Sequence, residues 1–309
     1  MDNLFGAGDL GMIYGPPGSG KTFVVIDLIF SACLGKQFAN RFDVARPLNV
    51  VYCAEEGLSG LPARFQAAAE YYGDWELPNF LHSEQVPQLF DIHSGLSLYH
   101  FTQQWQETQE KPLDLLVIDT LHSAIVGADE NSSKDMNQVI ASAKHAASTL
   151  NCAVLLVHHS NKAGTGERGS SALRGAMDFI LEVKPQGEKY SMDCAKLKDG
   201  QQWPKQTFDL VAKANSVRVW WDGPEAETQQ QQKRSESVTQ IKTILADYPN
   251  QRFTAKHLHE AIGGSKMSID KLLPRMVEKG EIKRTLQDPT RTASSRNPWV
   301  YYVERIVTM

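Results

Sequence analysis

The chain has few cysteines and no long hydrophobic run. Cys33, Cys53, Cys152 and Cys194 stand singly among apolar residues, with no Cys-x-x-Cys pair. That argues against a disulfide framework or a cysteine zinc site, and for reduced core thiols of a cytoplasmic protein. No apolar stretch approaches the roughly 18–20 residues of a membrane span; Phe23–Leu34 is broken by Asp27. The Met-Asp-Asn start lacks the basic residues of a secretory signal. There is no internal repeat. Nor is there an arginine-rich lid segment suited to a second phosphate substrate, which argues against a nucleotide kinase.

What remains is an ordinary globular composition, 41% hydrophobic over 309 residues, enough for one large domain and a small one. The net charge of −4 is unevenly divided. Residues 235–309 hold 12 basic and 8 acidic side chains, whereas the remainder holds 20 and 28. The C-terminal segment is therefore the better candidate for a nucleic-acid surface.

The most specific motif is Gly15-Pro16-Pro17-Gly18-Ser19-Gly20-Lys21-Thr22, a full match to the phosphate-cradling pattern G-x-x-x-x-G-K-[ST]. Its glycines let backbone N–H groups wrap a polyphosphate, Lys21 reaches the β- and γ-phosphates, and Thr22 offers a hydroxyl to Mg²⁺. A strand at Leu10–Tyr14 leads in. A helix from Thr22 to Leu34, with Phe23 in its first turn, leads out and aims its positive end at the same anion.

Apolar strand-like runs (Leu48–Cys53, Leu113–Ile118, Cys152–Val157) alternate with helical stretches (Leu58–Tyr72, Leu96–Gln109, Ser133–Leu150). This predicts an α/β domain with a mainly parallel sheet. Four further strands, Asp178–Lys184, Tyr190–Lys198, Gln206–Ala212 and Ser216–Trp221, are separated only by turns and predict an antiparallel extension. The polar, glutamine-rich Asp222–Glu236 reads as a linker between domains at 1–221 and 237–309. Beyond it, three helices (Val238–Asp247, Thr254–Ile262, Ser265–Lys279) and two strands (Glu281–Leu286, Trp299–Arg305) predict a winged helix. Pro274 requires the third helix to start late or to kink.

Ligands of parallel sheets sit at the carboxyl ends of the strands, so the residues there are the candidates. Asp119 can hold Mg²⁺ opposite Thr22. Glu55 or Glu56, with Glu55 favoured, can take a proton from the attacking water. His158 or His159 can report loss of the γ-phosphate. Lys196 and Lys198, alternating on one face, can present cations to a neighbour's site. The glycine-rich Ser160–Ser171 segment suits a mobile nucleic-acid contact, with Lys162, Arg168 and Arg174 as phosphate ligands. In the C-terminal module Lys266, Lys271, Arg275 and Lys279 line the polar side of a candidate recognition helix, and Arg291 and Arg296 fall in the wing.

GMIYGPPGSGKT (11–22), VVYCAEEG (50–57), LLVIDT (115–120), VLLVHHSNK (154–162), RGSSALRGAMDF (168–179) and AKLKDG (195–200) together resemble the RecA-fold ATPases. Within these they resemble the plasmid- and phage-type hexameric replicative helicases related to RepA, and more distantly those of DnaB type. The likeness covers 1–221. It implies a six-membered ring with ATP between subunits and single-stranded DNA in the channel. It also implies Glu55 as catalytic carboxylate and His158 or His159 as sensor, with the DNA loop at Ser160–Ser171. AKLKDG lies where DnaB-type helicases carry a Lys-x-Arg finger. Here Lys198 replaces the arginine and lacks its planar fork, which leaves Arg174 a rival. The expected function is an ATP-driven motor on single-stranded DNA, a helicase that meets an initiator, a primase or duplex DNA through its winged helix. The alternative is a nucleotide-switched DNA-binding regulator that does not unwind.

Overall fold

A computed structural model describes residues 1–91, 93, 97–108, 112–161, 166–223, 237–248, 251–262, 266–278, 280–287, 289–290 and 298–302. The chain divides into two compact units, Met1–Gly223 and Pro224–Met309.

The first unit is built on nine strands: β1 (Leu10–Gly15), β2 (Val50–Ala54), β3 (Phe80–Ser83), β4 (Leu115–Asp119), β5 (Ala153–His159), β6 (Phe179–Gln186), β7 (Lys189–Leu197), β8 (Gln206–Lys213) and β9 (Ser216–Trp221). They form one sheet in the order β3-β2-β4-β5-β1-β6-β7-β8-β9. β3 to β6 along that order run parallel, and β6 to β9 pair antiparallel. The fold is thus α/β, mainly parallel with an antiparallel extension. The helices are α1 (Lys21–Leu34), α2 (Leu61–Tyr72), α3 (Leu98–Thr108), α4 (Ser133–Leu150) and α5 (Ser171–Ala176).

Strand alternation sorts the core into two layers. Leu115, Val117, Leu155 and Val157 pack with α1 and α2. Leu116, Ile118, Val154 and Leu156 pack with α4. Buried on both faces, the central strands read as continuous apolar runs, and the sequence reveals them for that reason. β3 gives no such signal: it is a four-residue edge strand, nowhere fully buried, with Leu81 exposed.

Asp27 ties three elements together. It is buried in α1, where its carboxylate accepts from Tyr72 Oη of α2 (2.9 Å) and Trp221 Nε1 of β9 (2.7 Å). Burial pushes its pKa up to about 6, against those two donors and the Arg218 charge. The folded state therefore holds this proton more tightly than the unfolded chain. The contribution to stability is complete below about pH 4 and is lost as pH rises to about 6, roughly 3 kcal/mol in all. Asp27→Asn keeps both contacts, with Nδ2 donating to Tyr72. In thermal melts, its stability relative to the parent rises from pH 4 to 6.5; a pH-independent difference contradicts this account.

Asp222 is fastened to β8 and β7. Its N–H donates to Thr207 O (2.9 Å), and its carboxylate takes the Thr207 hydroxyl and Lys189 Nζ. Asp222 is thus held within the first unit, Met1–Gly223.

The second unit has helices α6 (237–247), α7 (Ala255–Ile262) and α8 (Lys266–Glu278) and strands β10 (Phe253–Thr254), β11 (Lys283–Leu286) and β12 (Trp299–Tyr302). The strands form an antiparallel sheet in the order β10-β12-β11. Ile241, Leu245, Leu258, Leu273 and Met276 form its core. α8 runs through Pro274 rather than starting after it, leaving the Asp270 carbonyl without an N–H four residues on. Among the described residues no helix is long and apolar enough to cross a membrane.

Candidate nucleotide site

The carboxyl ends of β2, β4, β5 and β1 lie side by side. Ala54 is in register with Asp119, Asp119 with Val157, and Gly15 with His159. The Gly15–Thr22 loop leaves β1 at this edge and enters α1. Gly15 is required by close approach, since a Cβ there would lie 1.9 Å from Val183 O. Gly20 sits at φ +91, in the region that glycine occupies without strain. Ser19 is fully buried and its Oγ has no partner, a polar atom left over inside the cradle.

Lys21 is buried, and its ammonium donates to Gly15 O (2.9 Å) and Pro16 O (3.0 Å). Burial lowers its pKa, with Asp119 and Glu56 opposing. Asp119 is 6% exposed and accepts from Tyr52 Oη at 2.7 Å. Burial raises its pKa against that bond; Glu56 adds to the rise, and Lys21 and Arg64 oppose it. Tyr52 occupies one carboxylate oxygen, and no hydrogen bond to the other is seen among the described residues. Asp119 and Thr22 have the hard oxygen donors that Mg²⁺ takes.

The glutamate pair divides. Glu56 Oε1 accepts from Thr120 Oγ1 (3.3 Å) and Ser123 Oγ (3.2 Å), and its charge acts on Lys21, Asp119 and His159. Glu55 is exposed and has no such contact among the described residues. Both glutamates are exposed, and of the two it is Glu56 that has hydrogen-bond partners among the described residues.

The histidines also divide. His159 feels Lys21 and Glu56, and burial together with the Lys21 charge lowers its pKa; its buried Nδ1 has no partner. His158, one residue back, points to the other side. It is 1% exposed and its Nε2 donates to Arg168 O at 2.8 Å. Burial lowers its pKa.

The described part of the Ser160–Ser171 segment is docked. Arg168 N donates to His159 O (3.0 Å), and Asn161 N to Gly166 O (2.9 Å). Arg168 Nε pairs with the buried Glu130 carboxylate at 2.8 Å, whose other oxygen meets His122 Nδ1 at 2.9 Å. Ser170 N donates to Glu130 O (2.8 Å). The loop therefore touches both the His158–His159 strand end and the turn after Asp119. Lys162 lies outside the described residues.

The remaining cations are committed elsewhere. Arg174 pairs with Glu167 (2.8 Å) and donates to Ala195 O (3.2 Å). Lys196 Nζ donates to Arg174 O and Gly175 O, capping α5. Lys198 lies just past β7 and pairs with Asp178 (3.0 Å). The two lysines do not act as one alternating pair. Leu197 is in register with Phe179, and Phe179 with Gly11. Lys198 therefore sits near the amino end of β1, some 17 Å along the strand from the loop. In the second unit Arg275 is exposed. The side chains of Lys266 and Lys271, and residues Lys279, Arg291 and Arg296, lie outside what is described.

Tyr52, Arg64, Thr120, His122, Ser123 and Glu130 were not foreseen. Tyr52 carried a signal, as the one hydroxyl in an otherwise apolar strand. Glu130 and His122 carried none, because only the loop crossing brings them to Arg168.

No curated protein matches the chain. Among solved structures it is similar to the crystal structure of the RadB recombinase, at 18% identity over 67% of this chain and 89% of that one, with a TM-score of 0.47. Residues 1–165, more than half of the sequence, match the family model described as an AAA domain, and the chain belongs to that family, a P-loop ATPase.

Proposed function

We propose that the protein is an ATP-hydrolysing motor on single-stranded DNA, a ring-shaped homo-hexameric replicative helicase of a plasmid or phage. The observation that carries this reading is the docking of Arg168. Its backbone is fastened to both histidines at the nucleotide site, while its side chain is 54% exposed. A change beside the γ-phosphate thus has a short route to a cation that can meet DNA phosphate.

In this reading the loop amides and Lys21 hold the ATP phosphates, the lysine exchanging two carbonyls for phosphate oxygens. Thr22 and Asp119 would hold Mg²⁺, which would supply charge neutralisation on the phosphates. Glu56, with one oxygen fixed by Thr120 and Ser123, accepts a proton from water. That water oxygen bonds to the γ-phosphorus as the bridging P–O bond to ADP breaks. His159 senses the γ-phosphate, and its carbonyl passes the change to Arg168. A cation of the adjacent subunit, Lys198 or Arg174, completes the charge clamp. The second unit meets an initiator, a primase or duplex DNA. The regulator reading draws on that unit's exposed Arg284, stacked on Trp299 at 4.5 Å.

Arg168→Gln tests the route. Basal turnover stays within about two-fold, while stimulation by single-stranded DNA is lost. Unchanged stimulation contradicts the route.

A further inference from the structure

Among the described residues around the phosphate loop, the Arg64 guanidinium has no hydrogen-bond or ion-pair partner. Arg64 lies in the first turn of α2, and helical side chains lean toward their helix N-terminus. Here that direction leads back to the carboxyl end of β2, where Glu56 and Gly57 stand. The guanidinium lies 5.2 Å from the centre of the Phe23 ring, in the first turn of α1. It also lies flush against two glycines: a Cβ on Gly57 would be 3.7 Å from Nη1, and one on Gly60 3.5 Å from Nη2. Its charge is felt by both Asp119 and Tyr52. The side chain is half-buried.

Five N–H donors in this position have no hydrogen-bond or ion-pair partner among the described residues. The other described cations near the site have one: Lys21 with loop carbonyls, Arg168 with Glu130, and Arg174 with Glu167. A half-buried guanidinium that ring packing and glycine backbone hold in place, facing a site built for anions, is arranged to receive an oxyanion.

We propose that Arg64 binds the terminal phosphoryl group of a nucleoside triphosphate, on the Glu56 and Asp119 side of the loop, and so distinguishes triphosphate from diphosphate. This rests on the phosphate-loop reading above. Neither the motif pattern nor the spacing of strand ends points to this residue; the stack on Phe23 and the missing acceptor do.

Equilibrium binding of a non-hydrolysable ATP analogue and of ADP, each with Mg²⁺, tests it on the full chain. Arg64→Ala weakens the analogue by about ten-fold or more and ADP by less than about two-fold. Arg64→Lys, which keeps a point charge and most of the stem, falls between parent and Arg64→Ala for the analogue, and serves if the alanine variant melts early. Equal weakening of both nucleotides, or of neither, overturns the assignment. If the parent binds neither nucleotide, the phosphate-loop reading falls, and this inference with it.

Discussion

Glu56→Gln lowers ATP turnover by about 10²–10⁴-fold while ATP still binds, whereas Glu55→Gln leaves turnover within about two-fold. The asymmetry follows from geometry. General base catalysis needs a carboxylate oriented within reach of the attacking water. Glu56 has its orientation fixed by two hydroxyls, Thr120 Oγ1 and Ser123 Oγ. Glu55, one residue earlier and equally exposed, has no such hydroxyl contact among the described residues. Glutamine preserves the acceptor for both hydroxyls, so the loss in Glu56→Gln reports the missing base and not a collapsed loop. Steady-state hydrolysis and nucleotide binding on both variants decide it. The reverse ranking returns the role to Glu55.

Lys198→Ala or Arg174→Ala lowers turnover by about 10³–10⁵-fold without abolishing ATP binding, the scale of a cation supplied to the transition state from another subunit. Lys198 lies near the opposite end of the strands from its own phosphate loop, so a role in hydrolysis requires the proposed ring to bring it to a neighbour's site. Its ion pair with Asp178 is exposed and exchangeable. Arg174 is held more firmly, by Glu167 and a β7 carbonyl, and its alanine variant also loosens α5. Melting curves separate that loss from the catalytic one. Normal turnover in both variants removes the composite site.

The legible parts of the molecule were those whose signal is local. β1, β4 and β5 are apolar on both faces, and they end in the glycine of the phosphate loop, Asp119 and His159, so they announce both the parallel sheet and the edge where a ligand sits. α4 shows itself through a single apolar face, and the structure adds a Ser132 cap that accepts from Asp135 N. Adjacent residues at a strand end were harder. The sequence reading favours Glu55 over Glu56, but the left-handed Gly57 (φ +68) follows directly, and in the folded turn it is Glu56 that meets Thr120 and Ser123. The same holds for the histidines, whose alternation on β5 sends one to Arg168 and the other to Lys21. The contacts of Arg168 and Ser170 were not legible because glycine and polar residues give no packing signal, and their partner, Glu130, lies 38 and 40 residues upstream. Lys196 looked like an exposed finger because a carbonyl pair at a helix end has no sequence signature.

The central claim is that nucleotide hydrolysis here is coupled to single-stranded DNA. ATP turnover of the parent chain, titrated with single-stranded and with duplex DNA at one fixed salt concentration, tests it most directly, because phosphate contacts weaken steeply with salt. The account predicts stimulation by single strands of at least about five-fold, with little response to duplex of arbitrary sequence. Turnover indifferent to single strands, or raised only by a particular duplex sequence, contradicts it and favours the regulator.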